Sequence, residues 1–464
     1  MSSKTNEKRD MESIDLLDYL RKEIPVEDLR DFESPKRINS IDFVKGFAIV
    51  FIILAHIAGA WLNSQWIFLY GIVFAFLDVL GPSLFVFLSA LSVIFSVRKK
   101  SGILPEKVIR NRILTRGIVI MVIGVIFNII SIDITIGGYP FPLNLWGWNI
   151  LMFIGISQIL SLYALKLSKM TRLMIGFVII FTSDPIREFI FNGVKVGNVI
   201  LEFLHYVIIS PSPMTPILPW VSICFISTIY GEFLYEAMIG GSKTDYIVLI
   251  RKFLFSGVFF TAIGIFLGRL AYIPGDSFIH ATDYAVGTLP LSEYPHILLY
   301  KYINSQMIIP EIRYPGMWEF LIRGRGPNMI YNLGTSLLII GICFYFIDLK
   351  KKKNIFTNML MYYGKTSLSL FLIHFVFITL FIGQFDIVIF PFIYIGYAGL
   401  MGFLMYIWIE YFRGVGSPEW IMIQLGRIGQ KTTEVVKKEI QTIEEEIKET
   451  IHKRKKEEKS DKSN

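Results

Sequence analysis

Residues 43–62 read FVKGFAIVFIILAHIAGAWL, with one lysine near one end, one histidine toward the other and no acid. About 20 apolar residues carry a helix across a bilayer, so this stretch predicts a transmembrane helix. Nine more follow: Phe74–Val97, Ile113–Ser131, Asn149–Leu167, Leu173–Thr182 with its flanks, Ile217–Leu234, Phe253–Tyr272, Met329–Ile347, Ser367–Gly383 and Ile387–Phe412. The fifth is short, and Pro391 is expected to bend the last, since proline removes a backbone donor. The fold expected is therefore all-α: a polytopic membrane protein of about ten helices in one bundle. Composition agrees. Of 464 residues, 53% are hydrophobic and 18% charged, against about 45–50% and about 25% in soluble domains. This excludes a disordered chain and a single-span anchor and argues against a soluble enzyme.

Lysine and arginine set the expected sidedness. The connection after span two carries Arg98, Lys99, Lys100, Lys107, Arg110 and Arg112; later ones carry Lys166, Lys169 and Arg172, then Lys243, Arg251 and Lys252, then Lys350–Lys353. The alternate connections 63–75, 133–148 and 384–386 hold no Lys or Arg. That pattern places both termini in the cytoplasm and fits a plasma membrane. The first 35 residues are polar and mixed in charge, unlike a secretory signal. The net charge of +8 then faces lipid, and no nucleic-acid partner is expected.

Three regions follow: a polar segment 1–35, a membrane domain 36–425 and a charged tail 426–464. Within the domain, 274–326 is a long outer loop with five prolines and many aromatics, expected to pack as a cap. In the tail, Val436, Ile440, Ile443, Ile447 and Ile451 recur at helical spacing. They make an amphipathic helix or short coiled coil, a candidate homo-oligomer contact or a surface helix on the inner leaflet. Cys224 and Cys343 both lie in apolar runs and read as inert thiols; no metal site is expected.

Ionisable groups inside spans are costly and usually functional. The candidates are His56, Asp78 just before Gly81-Pro82, His374 and Glu232, with Asn128 as a polar companion. Lys45 and His56 are eleven residues apart, about 20° from the same helical direction, and Asp42 is about 40° off. The three line one face. Lys45 sits roughly 16 Å from His56 along the axis, so the two mark separate levels of one path. A cation at the cytoplasmic mouth suits an anionic ligand. A histidine withdrawn from water favours its neutral form, which a general base requires. The bland alternatives are a packing histidine bonded to a carbonyl and a lysine that snorkels to the headgroups.

At these residues the chain resembles a known family. Arg37-Ile-Asn-Ser40-Ile-Asp42-Phe-Val-Lys45-Gly46, running on to His56, is similar to the opening Arg-x-x-Ser-x-Asp-x-x-Arg-Gly signature of the heparan-α-glucosaminide N-acetyltransferase family. The basic-Gly…His spacing is shared with acyltransferase-3-type membrane proteins. Asp78-Val-Leu-Gly-Pro82, Leu145-Trp-Gly-Trp-Asn149, Leu218-Pro219-Trp220 with Tyr230-Gly231, and Gly364-Lys-Thr-Ser367 through His374 resemble further family segments in order. Ser417-Pro418-Glu419-Trp420 resembles the close of a bacterial branch. The resemblance spans about 36–425. Three departures stand out. Lys45 replaces the usual Arg and loses its bidentate fork. Asn149 stands where Asp is expected. The loop 63–75 lacks the histidine assigned to catalysis in the lysosomal enzyme.

The resemblance implies transfer of an acyl group, most simply acetyl, from cytoplasmic acetyl-CoA to an extracytoplasmic sugar or glycan amine or hydroxyl. On this reading Lys45, Arg110, Arg112 or Arg116 meet the CoA phosphates, His56 is the base, and Asp78 is a second catalytic candidate. Asn128, Asn149 or an amide near Gly81-Pro82 stabilises the oxyanion, and Asp42 and His374 support. Ten spans around an interior path also describe a small-molecule transporter, although no internal repeat is visible. A non-catalytic scaffold using the tail helix is the third reading.

Overall fold

In a computed structural model the protein is described over residues 38–63, 73, 75–101, 105–130, 145–209, 217–272, 317–352, 354–421 and 424. Segment 1–35, the outer loop as far as residue 316 and the tail helix with its oligomer contact lie outside the described residues.

The first span is one unbroken helix, α1 (Asn39–Trp61). A short 3-10 turn, Asp78–Leu80, leads into α2 (Pro82–Lys100), whose proline sits in the first turn where no amide partner is lost. Then come α3 (Glu106–Ile130), α4 (Ile150–Ala164), α5 (Lys169–Lys195) and α6 (Val199–Leu204). The helices α7 (Ile217–Gly240) and α8 (Lys243–Leu267) are followed by α9 (Gly326–Cys343), which runs on as a π turn to Leu349. The last three are α10 (Ile355–Lys365), α11 (Ser367–Ile378) and α12 (Phe390–Phe412). Two strands of two residues each, β1 (Ala271–Tyr272) and β2 (Met317–Trp318), pair antiparallel.

Seven described helices are long and apolar enough to cross a membrane, and eight if α10 and α11, bent by 86°, count as one span. The expected number was about ten. The two remaining expected spans are helices that fall short for different reasons. The fourth, α4, has 15 residues, about 22 Å of helix against a hydrocarbon core of about 30 Å. The fifth, α5, is long enough but carries Asp184, Arg187 and Glu188.

Contacts knit the helix ends into two levels. At the basic level Arg98 of α2 and Arg172 of α5 both bond Glu232 of α7. Asp348, after α9, accepts from the Asn39 and Ser40 amides and caps α1 at 3.1 and 3.2 Å. At the opposite level Arg325, just before α9, pairs with Asp184 of α5, and Arg187 donates to the Gly324 carbonyl. There too the end of α1 bonds the chain before α12, Phe385 N donating to Trp61 O. The buried core between the levels includes Trp61, Phe87, Phe153, Trp220 and Phe253.

Candidate functional site

The site forms where α1 meets the bent pair α10–α11. Along the first half of α1, Gly46 faces α10. A Cβ at Gly46 would land on the Leu360 carbonyl, and one at Gly364 on the Asp42 carbonyl. Two glycines let the backbones cross in contact. Past this crossing the chain turns at Thr366, and α11 runs beside the second half of α1.

That turn brings the two membrane histidines together. His56 Nδ1 and His374 Nε2 are 2.9 Å apart, and the rings stack at 12° with centroids 5.1 Å apart. His374 is fully buried and His56 half-buried. His374 Nδ1 lies 3.2 Å from the Leu370 carbonyl. A carbonyl can only accept, so in the neutral pair His374 Nδ1 carries the proton. Its Nε2 then accepts from His56 Nδ1–H, and His56 Nε2 keeps a bare lone pair. Phe375 packs against both rings, with centroids 4.9 and 4.3 Å away, and Phe127 of α3 closes on Phe375 at 4.8 Å. Tyr397 donates to the His374 carbonyl at 2.7 Å, and Trp61 donates to Ile378 O at 2.7 Å. α11 is thereby pinned along its length.

Asp78 opens the turn before α2 and is buried. Arg323, in the 319–325 connection, donates to its Oδ1 from Nε at 2.9 Å and also from Nη2. The other oxygen, Oδ2, is buried with no hydrogen-bond partner among the described residues. Arg323 also lies within electrostatic reach of His56. One level of the molecule therefore gathers a base with a free lone pair, a carboxylate with a free oxygen and a guanidinium.

The remaining candidates are placed as follows. Asp42 and Lys45 are half-buried at the α1–α10 crossing, beside Gly46 and Gly364. Arg110 is exposed and Arg112 and Arg116 are half-buried on α3; the last two share a face, and Arg110 lies about 160° from Arg112. Asn128 and Asn149 join α3 to α4. Asn149 Nδ2 donates to Asn128 Oδ1 and Gly124 O at 2.6 and 2.7 Å, Asn128 Nδ2 to Leu145 O and Gly147 O, and Asn149 Oδ1 caps α4. Their amide donors are spent on structure. Among the described residues no group of three His, Cys, Asp or Glu side chains could hold a metal ion.

Against known proteins, the sequence model of the heparan-α-glucosaminide N-acetyltransferase catalytic family matches residues 37–263. The chain resembles that family. The match takes in α1 with Lys45 and His56, Asp78 and most of α8, just under half the chain. The expected resemblance to this N-acetyltransferase family therefore holds across its opening signature, whereas His374, Arg323 and Glu419 lie beyond the matched span. No curated protein matches the chain.

Three residues that the structure singles out escaped the sequence reading. Arg323 lies near the end of the 274–326 loop, with nothing in the sequence to tie it to Asp78, 245 positions earlier. Glu419 accepts from Leu368 N and Ser369 N at 3.0 Å, and from Ser369 Oγ, and so caps α11 from outside the bundle's helices. Arg172 was legible only as a basic loop residue. It is in fact 1% exposed.

Proposed function

We propose that the protein is a membrane acetyltransferase that moves an acetyl group from acetyl-CoA on its basic, cytoplasmic side to a sugar amine or hydroxyl on the other. The observation that carries this reading is the His56–His374 pair: a proton-accepting Nε2 fixed by a carbonyl-anchored partner and half-buried, with the Asp78–Arg323 pair at the same level. The N-acetyltransferase resemblance over 37–263 supports the reaction class.

In this mechanism His56 Nε2 takes the proton from the acceptor as its nitrogen or oxygen attacks the thioester carbonyl. The new bond forms to the acetyl carbon, the C–S bond breaks, and the proton held on His56 neutralises the leaving thiolate. His374 holds the tautomer and the orientation of His56. Arg323 supplies positive charge where an oxyanion develops, a role the spent amides of Asn128 and Asn149 do not fill. Asp78 keeps Arg323 in place and offers Oδ2 to the acceptor. Lys45, Arg112 and Arg116 attract the phosphates of the donor. A glycan acceptor completes the site.

The test is thiol release from acetyl-CoA by purified protein in detergent, with and without a surface-glycan extract. Extract-dependent release that disappears in His56→Ala is the expected result; release retained in that variant overturns the assignment of the base. A second reading rests on the 86° break between α10 and α11, since broken helices are a feature of secondary carriers. Solute uptake by proteoliposomes without acetyl-CoA would favour that reading.

A further inference from the structure

At the basic level α2, α5 and α7 line an open cleft of about 490 Å³, within the size of small-molecule sites. Arg98, Lys169 and Arg172 line it, facing Glu232 and Glu236. Glu232 is shared by two guanidiniums, Arg98 Nη2 on one oxygen and Arg172 Nη2 on the other, each at 2.5 Å. Glu236 meets Lys169 at 2.6 Å on the open rim, where screening makes the pair weak. Three cations thus face two carboxylates. Arg172 is the informative member. It is 1% exposed, gives Nη1 to Thr228, and its buried Nε has no partner among the described residues. The N-terminus of α5 starts at Lys169 on the same wall and adds its positive dipole end.

We infer that this cleft binds a phosphate group. The group arrives as the 3′-phosphate of CoA or as a phospholipid headgroup. The first source rests on the acetyltransferase reading, and the second does not. Neither draws on the basic residues of α1 and α3 assigned above to the donor. Glu232 holds the two arginines apart as a fork, and a phosphate in the cleft meets Arg98 and Lys169, the cations exposed on its open side.

The full chain is tested as Arg98→Gln/Lys169→Gln, which leaves the Arg172–Glu232 pair intact, with Lys351→Gln as control. Binding of CoA and dephospho-CoA is measured in lipid-free detergent. Thermal midpoints are compared in phosphatidylcholine nanodiscs with and without phosphatidylglycerol. A preference for CoA of about tenfold or more that vanishes in the double variant supports the site with the donor as its source. A midpoint rise on phosphatidylglycerol that vanishes there supports it with lipid as source. If the double variant matches wild type and control in both assays, the proposal is overturned, and acetyl transfer by that variant at the wild-type rate would leave the acetyltransferase reading standing. The reverse pattern, no CoA binding or transfer but a lipid response needing Arg98 and Lys169, sinks the enzyme reading and keeps the site.

Discussion

His374 bonds its own helix at the i−4 carbonyl, as spacing suggests, and pairs with His56, as no spacing could suggest; in the proposed mechanism that pairing sets what His56 can do. Its ring passes the directionality of a backbone carbonyl to the His56 tautomer. His374→Phe keeps an aromatic ring against Phe375 and removes the Nε2 acceptor. Turnover is expected to fall by about 10²-fold or more, with KM for acetyl-CoA little changed. A purely packing histidine would instead lower the thermal midpoint and leave kcat alone, and steady-state kinetics with a melting curve separates the two. His56 itself was readable from the sequence, because a lone titratable group in an apolar run stands out. Its partner was a separate candidate 318 residues away, and periodicity carries no information about a pairing between helices.

At the scale of elements, the bend at Thr366 and its two clamps build the site. The first is the glycine crossing. Gly46→Ala drives a methyl group into the Leu360 backbone, and backbone does not move as a side-chain tip does, so a loss of about 1–3 kcal/mol is expected. Gly396→Ala on α12 has nothing within 4 Å and should be neutral or stabilising by up to about 1 kcal/mol. Equal melting shifts for the two variants would contradict the crossing.

The second clamp is Glu419. Burial pushes its carboxyl above the ordinary range, against the opposing hydrogen bonds from Ser369 and Leu368. The sign follows. Between the ordinary carboxylate value of about 4.3 and the raised folded value, the folded chain holds a proton that the unfolded chain has lost. This part of the stability is present at low pH and declines as pH rises through that window. Glu419→Gln should flatten that decline, and parallel melting-versus-pH curves for variant and wild type would rule the clamp out as its source. The sequence showed both glycines and Glu419 only as pieces of motifs. Their job is a matter of close approach between distant segments.

For the whole molecule, the two levels of contact make sidedness testable. Ser101 follows α2 at the basic level, and Gln384 lies beside the end of α1 at the other. With Cys224 and Cys343 replaced by alanine, a thiol reagent that does not cross membranes should label Ser101→Cys only in inside-out vesicles and Gln384→Cys only in right-side-out ones. Labelling of both from one side would break the alternation read from the basic loops.

The helical membrane character, the span positions and the single polar groups worth watching were determined by the sequence alone. Apolar run length and the desolvation cost of charge act locally, residue by residue. Two expected spans missed the length or polarity for crossing: α4 is short, and α5 carries charges that its neighbours pair, Arg172 with Glu232 and Asp184 with Arg325. The histidine pair, the Asp78–Arg323 pair, the carboxylate clamp on α11 and the cleft around Arg172 were decided only in the tertiary structure. Each joins side chains from separate helices. Such contacts depend on where helices cross and bend, and at Gly46, Gly364 and Thr366 that is set by backbone approach, which leaves almost no periodic trace in the chain.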